Sequence, residues 1–472
     1  MTQDLSKLPN KWVRSNLKEI SLRITKGSTP TSYGFTYKNA GINFVKAENI
    51  NEKGEIKNIS DFIDEETNTF LKRSILQAGD LLFSIAGTIG RVGIVQEKNL
   101  PANTNQALAI IRPFSHIYNK YAFYYLNSGL IQKQALSTIV GVGRANLSLT
   151  NVSEFPFPLP PLPEQHRIVE KIEELFTNLD AGVENLIKIK TQLKRYRQAV
   201  LKYAFEGKLT EEWREANRDR LEPASILLKQ ILIENKKQPI DLNKLNLSTL
   251  PNEWVQTKLW QVTNIVEKVN PKENPNEEFA YVDISSIDNR TAKITKPKKY
   301  IGENAPTRAR QLIKSGDILF STVRTYLKNT ANVSDKYNNQ IASTGFCVIR
   351  PHNLINNRMI FYLVQSDSFI NPLNYIQRGT SYPAVRDSDV FESIIPLSPL
   401  LEQQKIVEEI ERHFSIADQI EKTVEQGMLQ SERLRQSILK NAFEGKLVPQ
   451  DPNDEPAEKL LERIKAERAK RE

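Results

Sequence analysis

Apolar side chains recur every three or four residues through a long stretch of this chain. The run is Ile168, Ile172, Leu175, Leu179, Val183, Leu186, Ile189, Leu193, Tyr196, Val200 and Tyr203, with no proline after Pro163. That spacing predicts an amphipathic helix with a coiled-coil seam of about five heptads. A second run, Ile406, Ile410, Phe414, Ala417, Ile420, Val424, Met428, Leu434 and Ile438, predicts another helix from about Glu402 to Phe443. Its pattern weakens near Gly427 and Ser431. Gly207 and Gly445 stand where helix C-caps belong. Lys202 and Lys440 suit the negative end of the helix dipole. Each helix is about 40 residues, or ~60 Å at 1.5 Å per residue. A stripe that long needs cover, and the economical cover is the other helix, packed antiparallel.

Two other regions follow a different pattern. Short β-rich runs appear at 42–47 (INFVKA), 80–87 (DLLFSIAG), 92–95 (VGIV) and 107–113 (ALAIIRP). A later set lies at 279–285 (FAYVDIS), 317–323 (DILFSTV) and 344–351 (TGFCVIRP). Each region also holds one short helical stretch, KYAFYYLNSG (120–129) or RMIFYLVQSD (358–367). These are two α+β bodies with small sheets.

The two sets are copies. AFEGKLT at 204–210 returns as AFEGKLV at 442–448, a shift of 238. LPEQHRIVEKIEELF (162–176) falls on LLEQQKIVEEIERHF (400–414) at the same shift. AGDLLFS meets SGDILFS at a shift of 237, IIRP meets VIRP at 238, and LPNKWV meets LPNEWV at 242. The period is too long for a solenoid of ~20–50-residue units and matches duplicated domains. EPASILLKQI (222–231) resembles EPAEKLLERI (455–464) at a shift of 233, with Leu460, Leu461 and Ile464 on Leu227, Leu228 and Ile231. The first of these leads into the second body, so residues 455–468 are expected beside the first. The bodies diverge far more than the helices: GSTPTSYGFTYKNAG (27–41) has no close partner in the second copy.

Composition narrows the function classes. The 472 residues carry a net charge of +9, which favours an anionic partner, nucleic acid above all. A solvated basic surface would give the same balance. The lone Cys347 excludes an intramolecular disulfide and suits a reducing cytosol. MTQDLSKLPNKW has no apolar core for a signal peptide. No apolar run approaches the ~20 residues of a membrane span. A cytoplasmic protein without membrane contact is expected. There is no GxxxxGK[ST] loop for ATP, no Asn-Pro-Pro-aromatic motif and no Gly-rich methyl-donor loop. His116, His166, His352 and His413 make no ligand spacing, so no metal site is expected. Catalytic residues are therefore expected to be absent.

Two divergent bodies, each followed by PLPPLPEQHRIVEKIEELF or PLSPLLEQQKIVEEIERHF and closing on AFEGKL, resemble the specificity subunit of Type I restriction–modification systems. The resemblance spans essentially the whole chain. Leu401 replaces Pro163 in the second copy, a departure that touches nothing central. The resemblance implies an α+β fold: two duplicated α/β target-recognition domains separated by a long antiparallel two-helix coiled coil, in a pseudo-two-fold arrangement. The domains would span 1–161 and 250–399, with helices at 162–208 and 400–447. A linker with a short helix would fill 209–249, and a tail with a short helix 448–472. Each domain would read one half of a bipartite, asymmetric site on double-stranded DNA. The helices would set the gap and dock two modification (methyltransferase) subunits. Motor–endonuclease subunits would complete the complex. S-adenosylmethionine, ATP and Mg would serve those partners, with no cofactor in this chain.

The residues supply candidates for DNA contact. Arg91 lies in AGTIGRVG, where glycines allow close backbone approach, and arginine is the best bidentate partner for guanine. The counterpart TVRTYLK offers Arg324, Tyr326 and Lys328. Arg144 in VGVGRANLS, and Arg378, Tyr382 and Arg386 in QRGTSYPAVRD, precede the two helix starts. Lys46 and Asn49 in VKAENI complete the set. Each residue also reads as an ordinary surface group. For the whole chain two alternatives stand: a coiled-coil scaffold with two protein-binding domains, and an enzyme with unrecognised catalytic residues.

Overall fold

The computed structural model describes residues 8–137, 146–240 and 250–471. The chain divides into two compact units, residues 1–186 with 425–472, and residues 187–424. Two helices of 44 residues, Leu162–Phe205 and Leu400–Phe443, dominate the architecture. Each is divided between the units, so each unit contains the first part of one helix and the last part of the other. Among the described residues no helix is long and apolar enough to cross a membrane.

The first unit holds a four-stranded antiparallel sheet in the order Ser21–Lys26, Leu108–Pro113, Leu81–Ser84, Val92–Ile94. A three-stranded sheet, Phe62–Ile63, Ile42–Val45, Ala102–Thr104, lies beside it in the chain, its last pair parallel. Helix Asn119–Leu126 presents Tyr121 and Tyr125 to Phe157 and Phe443, edge to face at 5.0–5.7 Å between ring centroids. The second unit repeats the plan. Thr263–Asn264, Phe346–Pro351, Ile318–Ser321 and Thr330–Asn332 form one antiparallel sheet. Lys298–Ile301, Glu278–Val282, Gln340–Ser343 and Ala309–Ile313 form the other. The β-rich runs expected from the pattern fall on these strands, and the two expected short helices on Asn119–Leu126 and Asn357–Leu363.

The duplicated sequence motifs turn out to be contact partners. Trp12 donates its indole N–H to buried Glu164 at 3.0 Å, and Trp254 donates to buried Glu402 at 2.8 Å. The next residue, Gln165 or Gln403, accepts the backbone N–H of Tyr118 or Asn356 at 2.9 Å in each unit. Gly445 has φ +68, and a Cβ there would strike Pro9 at 2.2 Å; Gly207 has φ +74, and a Cβ would strike Pro251 at 2.4 Å. Only glycine suits that conformation and that contact. Thus LPN-x-W, the Glu-Gln helix start and the Gly-Lys-Leu helix end converge at one junction per unit. Inside each body a second duplicated pair closes. Arg112 makes a bidentate ion pair with Asp80 at 2.7 Å, and Arg350 with Asp317 at 2.7–2.8 Å. This fork geometry joins AGD to IRP and SGD to IRP.

The two glutamates have different company. Glu402 also accepts from Arg214 and Thr210, both at 2.7 Å. Glu164 accepts from Gln450 at 2.5 Å, and Arg167 is taken by Asp454. Burial pushes the Glu164 carboxyl above its ordinary range, against the lowering by Trp12 and Arg167.

Helix Ala457–Ala469 packs on the first body, as expected for residues 455–468. Ala457, Leu460, Leu461 and Ile464 join the core containing Trp12, Leu17 and Ile20. Its counterpart Ala224–Glu234 buries Ala224, Leu227 and Ile231 against Trp254, Leu259 and Val262. The docking bonds match as well. Ala457 N–H meets Lys11 O at 3.0 Å and Ala224 N–H meets Glu253 O at 2.8 Å. Arg468 donates to the carbonyls of Lys18 and Ser21, and Lys237 donates to the equivalent carbonyls of Trp260 and Thr263.

Within each unit the long helices run antiparallel. In the first, Asp180 pairs with Arg435, and Leu186 faces Gly427, where an added Cβ would lie 3.1 Å from its Cδ1. In the second, Arg197 pairs with Asp418 and Glu421 at 2.8 and 2.9 Å. Leu193, Ala417 and Val424 are buried, while Leu175, Leu179, Leu186, Phe414 and Ile438 are half-buried. Six expected seam residues pack on the bodies. Ile168, Ile172 and half-buried Ile438 join the first body's core, and Ile406, Ile410 and half-buried Phe414 the second's. Leu434 is a correction: it is 43% exposed, and its neighbour in the next turn, Leu439, is buried instead. The irregular spacing after Gly427 rotates the stripe away from Leu434.

Ile464 is fully buried, so Ile464→Ala should lower unfolding stability by about 2–5 kcal/mol. Denaturant melts of the two proteins would measure the difference. A change within ±0.5 kcal/mol would contradict the packing of this helix on the first body.

Candidate nucleic-acid interface

Two loops meet on the second body. The strand Ile318–Ser321 ends in a turn that returns as Thr330–Asn332. Alongside it runs the stretch after helix Asp367–Tyr375. Val323 bridges to Ala384, Arg324 N–H donates to Pro383 O at 2.7 Å, and Val385 N–H donates to Thr322 O at 3.0 Å. Thr325 Oγ1 donates to Asn374 Oδ1 at 2.6 Å, and Gln377 Nε2 donates to both side chains. Arg378 and Ala384 exchange backbone hydrogen bonds at 2.9 Å around Gly379, whose φ is +96. These ties fix two turns that otherwise have few apolar anchors.

The structure therefore gathers Arg324, Tyr326, Lys328, Arg378, Tyr382 and Arg386 at one place. Tyr326, Tyr375 and Tyr382 are exposed there. Exposed aromatic rings among cations suit base stacking and phosphate attraction. Lys328 Nζ meets Asp367 at 2.7 Å, and Arg378 meets Asp389 at 2.7 Å. Arg386 is exposed and precedes helix Asp387–Phe391, its backbone N–H on Asp389 Oδ2 at 2.8 Å. Arg324 lies over the Tyr382 ring at 5.1 Å.

The first body uses the same turn differently. Gly87 (φ +72) and Gly90 (φ +94) occupy its left-handed positions, where the second body has Arg324 (φ +50) and Lys328 (φ +53). Arg91 follows, exposed, with its backbone N–H on Ser84 Oγ at 2.7 Å. Its guanidinium donates to the carbonyls of Ala47 and Ile50 at 3.3 and 3.4 Å, which brings it beside Lys46 and Asn49. Lys46 forms an ion pair with Asp61 at 2.9 Å and lies over the Tyr37 ring. Burial works against its ammonium, but Asp61 outweighs it and holds the group above the usual lysine range. Asn49 is a correction. It is buried, accepts Lys46 N–H at 2.8 Å and donates to Asn58 O at 2.9 Å, so it builds the turn and offers nothing to a ligand. Arg144 lies outside the described residues; Asn146 bridges to Ala86 of the same turn.

Sequence reasoning missed Tyr375, the most exposed of these rings at 90%. Its signal was present in NPLNYIQRG, where an aromatic ends a helix one turn before a basic loop. The Asp–Arg pairs, at the strand ends opposite these turns, were also missed, although their halves were visible as matched repeats.

Two bodies share one duplicated frame, and the second sets exposed tyrosines among its loop cations, the geometry of a candidate nucleic-acid interface. The family model for the Type I restriction modification DNA specificity domain matches residues 9–191 and 251–428, and the chain belongs to that family. It is 30% identical over 413 residues to the Type I restriction enzyme EcoDI specificity subunit of Escherichia coli, covering 84% of each chain. It is 25% identical over 495 residues to the EcoKI specificity subunit of Escherichia coli strain K12, covering 98% of this chain and 97% of that one. A solved chain described for the complex assembly and conformational transition of the type I restriction–modification system shares the fold. Its TM-score is 0.66 at 19% identity, over 93% of this chain and 99% of that one.

Asn49→Ala removes one buried acceptor and one buried donor. It should cost about 1–3 kcal/mol of stability while leaving DNA affinity of the folded protein within about twofold. Thermal melts and duplex titration on the same sample separate the two. Lost affinity with unchanged stability would return Asn49 to the interface.

Proposed function

We propose that this chain is the non-catalytic specificity subunit of a Type I restriction–modification enzyme, and that each body reads one half of a bipartite, asymmetric site on double-stranded DNA. The carrying observation is a duplicated frame with unlike loops. The Trp–Glu junction, the glutamine side chain that accepts the Tyr118 or Asn356 backbone N–H, and the Asp–Arg pair recur in both units. The turn between them carries glycines in one body and cations in the other. One frame with two readers specifies an asymmetric sequence, whereas two identical readers specify a palindrome. The antiparallel long helices are the spacer that sets the gap, since a helix holds length better than a flexible linker. They also carry exposed Ile187, Tyr203, Ile416, Leu429 and Leu434, apolar surface suited to two methyltransferase subunits. Adenine methylation, with S-adenosylmethionine, belongs to those subunits. ATP- and Mg-dependent cleavage belongs to motor–endonuclease subunits. The site of action is the cytoplasm.

Exchanging residues 8–160 for the equivalent body of another specificity subunit should change one half-site and keep the other half and the gap. Sequencing of methylated bases in cells expressing the exchanged chain with its methyltransferase partner reads this directly. If both halves changed together, the two-reader proposal would fail. The purified chain without partners should show no methyl transfer, ATP hydrolysis or DNA cleavage above background. Any of these activities in partner-free protein would instead favour the enzyme reading.

A further inference from the structure

Among the cations of the second body's loops, Lys328 is held by Asp367 and Arg378 by Asp389. Arg324 has no carboxylate partner among the described residues. It carries two costs to the fold. Its φ of +50 is a backbone region that side chains adopt with strain. Its Nε is buried without a hydrogen-bond partner among the described residues. Its Nη2 donates to Ser381 O at 3.0 Å. Lys328 shares the backbone strain, but its ammonium is held by a carboxylate and by the carbonyl of Gln365. The first body makes the same turn with Gly87 and incurs neither cost. A glycine would thus suit the backbone at this position, and among the described residues the guanidinium reaches only the Ser381 carbonyl and the Tyr382 ring, both on the neighbouring loop.

We propose that Arg324 reads a guanine in the second half-site, and that Tyr382 is the positioning residue that orients it; this rests on the reading that the second body contacts DNA. A guanidinium presents paired N–H donors on one edge, which match O6 and N7 of guanine in the major groove. Burial of Nε closes the side-on approach and leaves the Nη1–Nη2 edge for the base. The Tyr382 ring, 72% exposed and 5.1 Å from the guanidinium, holds its plane before DNA arrives. Pre-orientation reduces the freedom lost on binding. Pro383 and Ala384, which follow the ring in the chain, are tied to Arg324 and Val323 through backbone pairing, so platform and reader move together. A phosphate contact would need no such fixed plane, because a phosphate accepts charge from many directions.

The test uses the full chain assembled with its methyltransferase subunits. The wild-type site is first found by sequencing methylated bases. Affinity is then measured for that duplex and for every single base-pair change across the second half-site. Arg324→Gly should fold with an unfolding midpoint no lower than wild type, because glycine suits the local φ. It should lose discrimination about tenfold or more at one G·C position only. Arg324→Lys should lose the same discrimination while keeping affinity for unrelated duplex. Tyr382→Leu should lose part of it at that position, and Tyr382→Phe should retain it. Uniform weakening on all duplexes would make Arg324 a phosphate contact and overturn the proposal. Loss confined to an A·T position, or no loss, would overturn it too. A wild-type complex that prefers no sequence would instead sink the underlying reading of the second body as a DNA reader.

Discussion

A buried carboxylate that accepts an indole N–H holds each half of this molecule together. Glu164 and Glu402 lie in the first turn of the long helices, and Trp12 and Trp254 stand where the chain enters each body. A buried carboxylate without partners is costly, so the tryptophan, the helix start and the groups around them are mutually required. Arg214 and Thr210 supply the remaining bonds in the second unit. Gln450 does so in the first. Removing Arg214 would leave a buried charge unpaired, a penalty of several kcal/mol. The glycine at the far end of the other long helix packs under the proline three residues before the tryptophan. Helix start, helix end and body are thereby locked at a single point, and the loops beyond it are free to differ.

That freedom is visible at the turn after Ser84 and Ser321. Both serines pair across the same strand ladder, yet Ser84 N–H reaches Arg91 O while Ser321 N–H reaches Asn329 O, one residue further along. The extra residue, and the replacement of two glycines by Arg324 and Lys328, change the surface without changing the sheet. The first body fills the neighbouring space with backbone carbonyls around Arg91. The second fills it with a second loop rich in tyrosine and arginine. Difference in chemistry is confined to positions that the core does not constrain.

Much of this frame was legible in the residues. Spacing placed both long helices to within a few residues, because a 3.6-residue stripe over ten turns has no competing reading. The strands followed from short β-branched and aromatic runs. Periodicity says that a face is covered, however, and not what covers it. Ile168, Ile172, Ile406 and Ile410 fit the seam pattern but serve the body cores. Asn49 looked like a polar loop residue, and its capping of Lys46 N–H is a matter of turn geometry that sequence spacing does not carry. Arg214 has no repeat partner to flag it. Arg324's left-handed backbone became visible only once Gly87 and Arg324 were found at the same corner.

The packing of Tyr121 and Tyr125 against Phe443 has a consequence for synthesis. The partners are more than 300 residues apart in the chain. At a ribosomal rate of about 5–20 residues per second, the first body waits roughly 15–60 s for the ring that completes its core. Leu439, Ala442 and the aliphatic side chains of Ala457–Ala469 arrive at the same late moment. The unit of residues 187–424 is continuous and has no such delay. The nascent protein therefore carries an unfinished aromatic surface through most of its own translation, and the half made first is the half finished last.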